Sequence, residues 1–267
     1  MDLKNMVEND GHVTWVPSDK GPNVIVNMPS LDVLLSEMRA HFAERRGFSL
    51  ATLNLDHVVK LRDDPAFRGA YQAQSHVTAD GNPIVWLSRL ARQPVSLLAG
   101  ADLIAPLAQL AGEMDVPIGL LGSTEETLQA AADALQMEHP GLRVVTCIAP
   151  PMGFDPTGEL ADRYVAQLED AGVAMCFLAL GAPKQEMFAA HAMSKTDRVG
   201  FVSIGAGLDF IAGTQIRAPK FVRAIAAEWV WRLMTNPRRL AARYVACIMV
   251  MPRLLRSALR ARRANGG

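Results

Sequence analysis

Short apolar runs alternate with amphipathic stretches along most of this chain. Seven runs have the length and composition of buried strands, and they span residues 48–54, 75–80, 95–100, 116–122, 142–150, 173–180 and 199–207. Most of them are followed by a turn and then by a stretch in which apolar residues recur every three to four positions, as on one face of a helix. Continuous apolar strands are typical of a sheet that is buried on both faces. The pattern therefore predicts an α/β protein with a Rossmann-like, mostly parallel sheet and helices on both faces.

Length and composition are those of an ordinary globular chain. The 267 residues are 50% apolar and 20% charged, which is enough for one α/β catalytic domain, predicted at residues 1–216, and a basic helical appendage at residues 217–267. The polar N-terminus predicts no secretory signal, and no apolar run reaches the ~20 residues of a membrane-spanning helix. The three cysteines are widely spaced and the histidines form no His-x-x-x-His pair, so we expect reduced thiols, no metal and no cofactor.

The net charge is zero, but the charges are unevenly distributed. From Arg217 to the end there are twelve Lys and Arg residues against the single acid Glu228, out of 27 basic and 27 acidic residues in all. The preceding part therefore holds 15 basic and 26 acidic residues, so its formal charge is −11 and that of the tail is +11. Such a split predicts either an anionic partner for the tail or a tail that docks on the acidic body.

One candidate site is the stretch FLALGAPKQEMF at residues 177–188, an apolar strand that stops at Gly181 and turns directly into a helix. Pro183 suits the first helical position because its missing N–H is not needed there. This turn leaves backbone N–H groups at the carboxyl edge of the sheet, where α/β proteins bind anions. The plainer alternative is an ordinary strand–helix turn with solvated polar residues.

Two other glycine turns have plain explanations from the sequence alone. In LLGSTEET, residues 120–127, Ser123 or Thr124 can cap the following helix, although the same turn could contact a phosphate. In IGAGLDF, residues 204–210, a dinucleotide fingerprint is incomplete because Phe210 stands where its third glycine would be.

Seven motifs in one order and spacing carry a specific resemblance. They read TLNLDHV, ADGNPIVW, LLGS, LGAPKQE, IGAGLDFIAG, RAP and EWVWRLMTNPRRLAARY. Over residues 24–245 the chain resembles the WecB/TagA/CpsF family of glycosyltransferases, glycosyltransferase family 26. The resemblance implies inverting, metal-independent transfer of a sugar, of the N-acetylmannosamine or glucose type, from a UDP-sugar to an undecaprenyl-diphosphate-linked saccharide. It also implies bacterial surface-polysaccharide synthesis by a cytoplasmic protein that is peripheral on the inner face of the plasma membrane.

The resemblance implies roles for individual residues. Asp80 would be the base that deprotonates the attacking hydroxyl, although an isolated Asp-Gly pair is more often a turn. Its predicted catalytic companions are Thr52, Asn54 and Gln185. The predicted substrate-binding residues are Gly81, Gly122, Ser123, Gly181, Lys184, Glu186, Gly205, Asp209, Arg232, Arg239 and Arg243. Among these, Lys184 would face the diphosphate or the donor sugar, and Asp209 would accept the N3–H of the uracil.

At one position the chain departs from the family pattern. Members often carry an arginine two residues before the glycine of the fourth strand, but PVSLLAG puts Leu97 or Leu98 there. Either Arg89 or a tail arginine substitutes, or the donor differs, so the sugar stays open. Two other classes of function also stay open: an NAD-dependent Rossmann oxidoreductase, and a non-catalytic, membrane-bound scaffold of a polysaccharide assembly complex.

The tail alternates apolar and cationic residues at nearly helical spacing. Pro237 and Pro252 are expected to divide it into short helices. Basic amphipathic helices with aromatic residues bind at membrane interfaces, so the part beyond Tyr244 is expected to hold an anionic lipid surface while the tail arginines neutralise the substrate diphosphate. The alternative is a helix that packs on a second copy in a homo-oligomer. We expect no nucleic-acid partner.

Overall fold

The computed structural model describes residues 14–16, 24–215 and 237–264, and the side chains of residues 24–215 and 241–263. Two short antiparallel strands come first, β1 (Thr14–Val16) and β2 (Val24–Val26). The main sheet then contains β3 (Phe48–Leu53), β4 (His76–Ala79), β5 (Pro117–Gly122), β6 (Arg143–Ile148), β7 (Met175–Ala179) and β8 (Gly200–Ser203). The described helices are α1 (Leu31–Glu44), α2 (Leu55–Asp63), α3 (Pro65–Gln72), α4 (Asn82–Leu90), α5 (Gly100–Glu113), α6 (Glu125–Glu138), α7 (Glu159–Asp170), α8 (Lys184–Met193), α9 (Gly207–Ile211) and α10 (Pro237–Ala264).

The main sheet has the strand order β4-β3-β8-β7-β5-β6, and all its pairings are parallel. Strand β3 is buried along its whole length, with Phe48 and Leu50 in one core cluster and Ala51 and Leu53 in another. This is the expected consequence of a side-chain period of two in a strand that is covered on both faces. The predicted α/β architecture with a doubly covered sheet is confirmed.

Helices cover the two faces of the sheet as separate layers. Residues of α1, α5, α6 and α9 pack in the cluster on one face, whereas α2, α3, α4, α7, α8 and α10 contribute to the two clusters on the other. The first strand of the sheet, β3, lies beside the last, β8, and the helices that follow these two strands lie on opposite faces. Adjacent strands whose following helices diverge open a crevice at their carboxyl ends, and this is the usual ligand site of such sheets.

Three local predictions differ from the structure. Residues 95–100 do not form a strand; they contribute one isolated bridge between Leu97 and Ala79, and α5 begins at Gly100. The segment runs past the end of β4, where the N–H of Leu98 donates to the carbonyl of Ala79 at 2.8 Å, so too few residues pair to continue the sheet. Helix α1 was missed altogether, although Ser30 caps it by accepting the N–H of Val33.

The third difference is in the tail, where α10 continues through Pro252 as one helix of 28 residues. Proline removes one backbone hydrogen bond from a helix interior, which is unfavourable in isolation. Here Val250, Leu254 and Ala258, one helical turn apart, are buried in the same cluster as α2, α3 and α4. Burial on both sides of the proline therefore holds the helix together. None of the described helices is both long and apolar enough to cross a membrane.

Candidate active site

The carboxyl ends of β3 and β4 bring Asp80 and Asn54 side by side. The backbone N–H of Asp80 donates to the carbonyl of Leu53 with an N···O distance of 2.8 Å, which places Asp80 next to the residue that follows β3. Asn54 caps α2, since its Oδ1 accepts the N–H of His57 at 3.0 Å. Both residues are half-buried. Gly81 then has φ +99°, a conformation that favours glycine, and it leads directly into α4.

A chain of buried hydrogen bonds lies beneath this pair. The hydroxyl of Tyr71 donates to the carbonyl of Thr52 at 3.1 Å, and Nδ1 of His57 lies 2.7 Å from the same hydroxyl. Because that hydroxyl has only one proton, this arrangement assigns the proton between His57 and Tyr71 to His57. Burial raises the pKa of Tyr71 well above its ordinary value, with further increases from the carboxyl groups of Glu186 and Asp80. Burial also lowers the pKa of His57 to about 3, so this floor of the site is uncharged at neutral pH.

The buried side chains of Gln185 and Glu186 connect the turn after β7 to the turn after β8. The Gln185 amide donates from Nε2 to Glu186 Oε1 at 2.8 Å, while its Oε1 accepts the N–H of Gly205 at 3.1 Å. Glu186 is fully buried, and its Oε2 has no hydrogen-bond partner. Burial raises the pKa of Glu186 to about 7, an effect partly opposed by the hydrogen bond from Gln185. Both side chains therefore lie beneath the carboxyl edge and hold its turns in place.

Ser123 and Asp209 meet at the ends of β5 and β8. The hydroxyl of Ser123 donates to Asp209 Oδ1 at 2.7 Å, while Thr124, not Ser123, caps α6. Gly122 cannot carry a side chain, because a Cβ there would lie 2.4 Å from the carbonyl oxygen of Ala179. Ser123 itself has φ +52°, a left-handed conformation that is strained in residues with a side chain and is found preferentially at functional sites.

The turn after β7 carries Gly181 and Lys184. Helix α8 begins at Lys184, one residue later than predicted, and Pro183 directly precedes it. Lys184 is half-buried. Two hydrogen bonds from Thr157 are the main cause of the lowered pKa of Asp155, and Lys184 contributes to the same shift. The Pro/Gly-rich loop that carries Asp155 therefore approaches this turn.

The predicted residues that lie at the strand ends are arranged along one line. The ends of β4, β3, β8, β7 and β5 are consecutive in the sheet, and five strands at a spacing of about 4.8 Å span about 19 Å. Asp80 and Asn54 lie at one end of this line, Gly205 and Gly181 in its middle, and Ser123 with Asp209 at the other. That length suits an elongated ligand better than a single compact sugar.

Of the three predicted tail arginines, Arg243 is the one whose side chain the structure describes. Its Nε lies 2.8 Å from Asp56 Oδ1, and Lys60 Nζ lies 3.0 Å from Asp56 Oδ2. Arg232 and the side chain of Arg239 lie outside the described residues. Asp56 follows β3 by three positions, so this ion pair fixes α10 beside the predicted site.

Several residues of the site were missed by sequence reasoning. Asp56 was not predicted, because its pairing with α10 depends on a contact between distant parts of the chain. His57 and Tyr71 were not predicted as site residues, because single polar residues on apolar helix faces do not reveal their partners. At the departure from the family pattern, Leu98 is buried and Leu97 is exposed. Neither side chain can carry a charge, so the family arginine has no counterpart at these two positions.

One group of side chains in the described structure could bind a metal ion. In the part of the chain that the structure describes, a group of at least three His, Cys, Asp or Glu ligands converges at Glu37, His41 and His76. It lies near the amino ends of β3 and β4, at the edge of the sheet opposite Asp80. All three cysteines are free thiols.

The fold is a parallel α/β sheet with polar side chains along its carboxyl edge, and comparison with known sequences identifies the family. Residues 22–264 match the Glycosyl transferase WecG/TagA/CpsF family. The chain belongs to this family and is a glycosyltransferase. It is also 25% identical over 202 residues to the N-acetylglucosaminyldiphosphoundecaprenol N-acetyl-beta-D-mannosaminyltransferase of Bacillus spizizenii, a match that covers 73% of this chain and 74% of that protein.

Proposed function

We propose that this glycosyltransferase moves a sugar from a UDP-sugar to an undecaprenyl-diphosphate-linked saccharide, with inversion and without a metal ion, in the synthesis of a bacterial surface polysaccharide. The activity named for the Bacillus spizizenii relative supports the acceptor class and makes N-acetylmannosamine the first donor sugar to test. Membership of this glycosyltransferase family excludes the oxidoreductase alternative. The incomplete glycine fingerprint that begins at Gly205 agrees with this.

The observation that carries the proposal is the position of Asp80. Inversion at an anomeric carbon needs a base for the attacking hydroxyl on one side and stabilisation of the leaving diphosphate on the other. Asp80 is half-buried at one end of the crevice, where Asn54 stands beside it. An acceptor hydroxyl that reaches Asp80 would attack a sugar held towards the middle of the line.

Binding of the leaving nucleotide is assigned to the other end. The Asp209 carboxylate, oriented by Ser123, would accept the N3–H of uracil, and Lys184 at the N-terminus of α8 would face the diphosphate. A cation and the positive end of a helix stabilise a developing negative charge without a metal. We propose that tail arginines complete this neutralisation. For Arg243 to do so, it would have to leave Asp56.

Membrane attachment is proposed for α10. One stripe of this helix is buried against the body, and the opposite stripe exposes Val245, Ile248, Met249, Leu255 and Leu259. Arg253, Arg256 and Arg260 flank the exposed stripe. An apolar stripe with cations at its borders suits an anionic lipid surface, and it would hold the enzyme on the inner face of the plasma membrane, where its lipid-linked acceptor lies. A second copy of the chain is the competing occupant.

The test of the function is release of UDP from a panel of UDP-sugars with a short-chain lipid-diphosphate saccharide as acceptor. We expect release to depend on both substrates and to be greatest for one N-acetylhexosamine or hexose donor. Release of UDP with no acceptor-dependent increase for any sugar would contradict the proposal. No release at all would favour the scaffold alternative.

Metal independence has its own measurement. We expect EDTA to leave the rate of transfer unchanged at a temperature well below thermal unfolding, because charge on the leaving diphosphate is assigned to Lys184, tail arginines and a helix N-terminus. Addition of Mg²⁺ or Mn²⁺ should then have no effect either. A rate that falls on chelation and returns with Mn²⁺ would show that a metal takes part.

A further inference from the structure

Three side chains that commonly bind transition metals meet at the edge of the sheet opposite Asp80. Glu37 and His41 are four residues apart on α1, so they lie on one face of that helix. His76 is the first residue of β4. One ligand atom from each lies within 4.8 Å of the others. The two imidazoles are buried and Glu37 is exposed, so the group opens to solvent on the carboxylate side.

Hydrogen bonds orient both imidazoles. Nδ1 of His41 lies 3.1 Å from the carbonyl oxygen of Arg46, which can only accept, so Nδ1 carries the proton. Nδ1 of His76 lies 2.8 Å from the hydroxyl of Ser75, and this hydroxyl gives its own proton to the carbonyl of Ser49 at 2.9 Å. His76 therefore donates from Nδ1 as well. In both rings the lone pair is left on Nε2, and histidines that bind metals are usually fixed in this way.

We propose that Glu37, His41 and His76 bind one divalent transition-metal ion, Zn²⁺ in the first place. Two imidazoles and one carboxylate are a common zinc ligand set, and water would take the fourth position on the exposed side. Imidazole ligands also favour zinc, nickel and copper over magnesium and calcium. Ligand atoms about 2.0–2.1 Å from a tetrahedral zinc lie about 3.3 Å apart, so the group must contract, and the exposed Glu37 side chain can turn inward to do so.

The charges around the group are compatible with a cation. The basic residue Arg46, whose carbonyl contacts His41, has its Nε engaged with Glu44 Oε2 at 3.0 Å. Glu37 supplies one negative charge, and the two imidazoles are neutral ligands. The bound ion would thus carry a net charge of +1 with its ligands, and one further carboxylate of α1, Glu44, acts on His41.

A metal here would act on stability and not on sugar transfer. It would link α1 to β4 and so close the stretch of chain that contains β3, α2 and α3. These elements carry Asn54 and support Asp80, but the ion itself would lie at the other edge of the sheet. The inference therefore does not rest on the proposed function, and its test needs no substrate.

The experiment uses the full chain without an affinity tag, stripped with EDTA, and titrated with Zn²⁺ by calorimetry. We expect one Zn²⁺ to bind per chain. The midpoint of thermal unfolding should rise by roughly 5 °C when free Zn²⁺ is 100 times the dissociation constant, since binding to the folded state alone stabilises it. Co²⁺ in place of Zn²⁺ should give the visible absorption of a four-coordinate site.

Glu37→Gln is the decisive variant because Glu37 is exposed and its replacement keeps size and shape. It should weaken Zn²⁺ binding on the order of 100-fold, at least as much as loss of an outer-shell partner of a metal ligand. Glu138→Gln, the same change at an exposed helical position of α6, is the matched control and should bind as the unaltered chain does. Absence of stoichiometric binding, or equal affinity in the two variants, would overturn the proposal and leave His41 and His76 as core aromatic residues packed on Phe48.

Discussion

Asp80 and Glu186 are two carboxyl groups that both follow strands of the same sheet, yet their surroundings give them different properties. Asp80 is half-buried at the crevice, whereas Glu186 is fully buried beneath it. Both are close enough to Tyr71 to raise the pKa of its hydroxyl. Separate environments for neighbouring carboxyls are a common way to separate catalytic from supporting roles. We therefore expect substitutions of these two residues to differ in kind.

Asp80→Asn should reduce the rate of transfer by ~10²–10⁴-fold while UDP still binds, because the amide keeps the shape and cannot accept the proton of the acceptor. The measurement is UDP release together with calorimetric binding of UDP. Asp63→Asn, an equivalent change at an exposed position of α2, is the control. Transfer at nearly the normal rate in Asp80→Asn would contradict its role as the base.

Glu186→Gln should change how stability depends on pH. The pKa of Glu186 is raised from 4.5 to about 7 by burial, so between these values the unfolded chain has lost a proton that the folded chain keeps. The contribution of the protonated Glu186 to the free energy of unfolding is complete below pH 4.5. As the pH rises to about 7, this contribution is lost, and the free energy of unfolding falls by an amount on the order of 3 kcal/mol. Glutamine cannot ionise, so the variant should lack this loss.

The comparison must be made between the two proteins at each pH. His57 has a lowered pKa, and groups of that kind add stability as the pH rises, in the opposite direction. Denaturant midpoints of Glu186→Gln minus those of the unaltered chain, from pH 4.5 to 7.5, isolate the effect of Glu186. A difference that stays constant over this range would show that Glu186 does not hold its proton in the folded state.

At the scale of elements, α10 is unusual in being apolar on two opposite sides. Cys247, Val250, Leu254 and Ala258 are buried against the body, while the other side exposes a second apolar stripe. The ion pair between Arg243 and Asp56 adds a polar contact at the end of α10 nearest the site. Truncation beyond Tyr244 would remove buried residues as well as the exposed stripe, so single surface substitutions test membrane attachment more cleanly.

Met249→Ser should weaken binding to anionic vesicles about tenfold, because an exposed methionine that enters the lipid interface contributes on the order of 1.5 kcal/mol. Met249 is 73% exposed, and the unfolding midpoint should not change. Met137→Ser is the matched control, since Met137 is 84% exposed on helix α6. If Met249→Ser instead alters only the oligomeric mass, the exposed stripe binds a second copy of the chain.

At the scale of the whole molecule, the charge is divided between an acidic body and a basic tail. The residues before Arg217 carry a formal charge of −11 and the rest carry +11. The described side chains of α10 include Arg243, Arg253, Arg256, Arg260, Arg262 and Arg263 and no acid, so an anionic surface would attract this helix at long range. The same division would orient the molecule so that α10 faces the lipid.

Salt should therefore weaken membrane binding of the intact chain. Raising the ionic strength from 0.01 to 1 M shortens the Debye length from about 30 Å to about 3 Å, and each basic residue near an anionic surface contributes about 1 kcal/mol when unscreened. Flotation with anionic vesicles should fall steeply over this range, and neutral vesicles should bind weakly throughout. Binding that is equal for both vesicle types at all salt concentrations would exclude the electrostatic contribution.

Local pattern was sufficient for most of the fold. Apolar runs such as residues 116–122 and 173–180 correspond to β5 and β7, because a strand buried on both faces must be apolar throughout and can pair only within a doubly covered sheet. The motifs around Asp80 and Gln185 also indicate the family from the sequence alone. These features depend on residues that are close in sequence, so the order of apolar and polar residues is enough to predict them.

Contacts between distant residues decided the rest. Residues 95–100 have the composition of a strand, but they lie beyond the end of β4 and form only one β-bridge with it. Pro252 lies inside a helix, because packing of the residues on both sides of it outweighs the lost hydrogen bond. Ser123 could have capped α6, and only the approach of Asp209, 86 residues later, gave its hydroxyl a different partner. In the group of Glu37, His41 and His76, the two helical ligands have i, i+4 spacing, but the third comes from a distant strand, and no local pattern links it to them. Such contacts cannot be predicted from a local pattern, because their free energy arises from packing between residues that are far apart in the sequence.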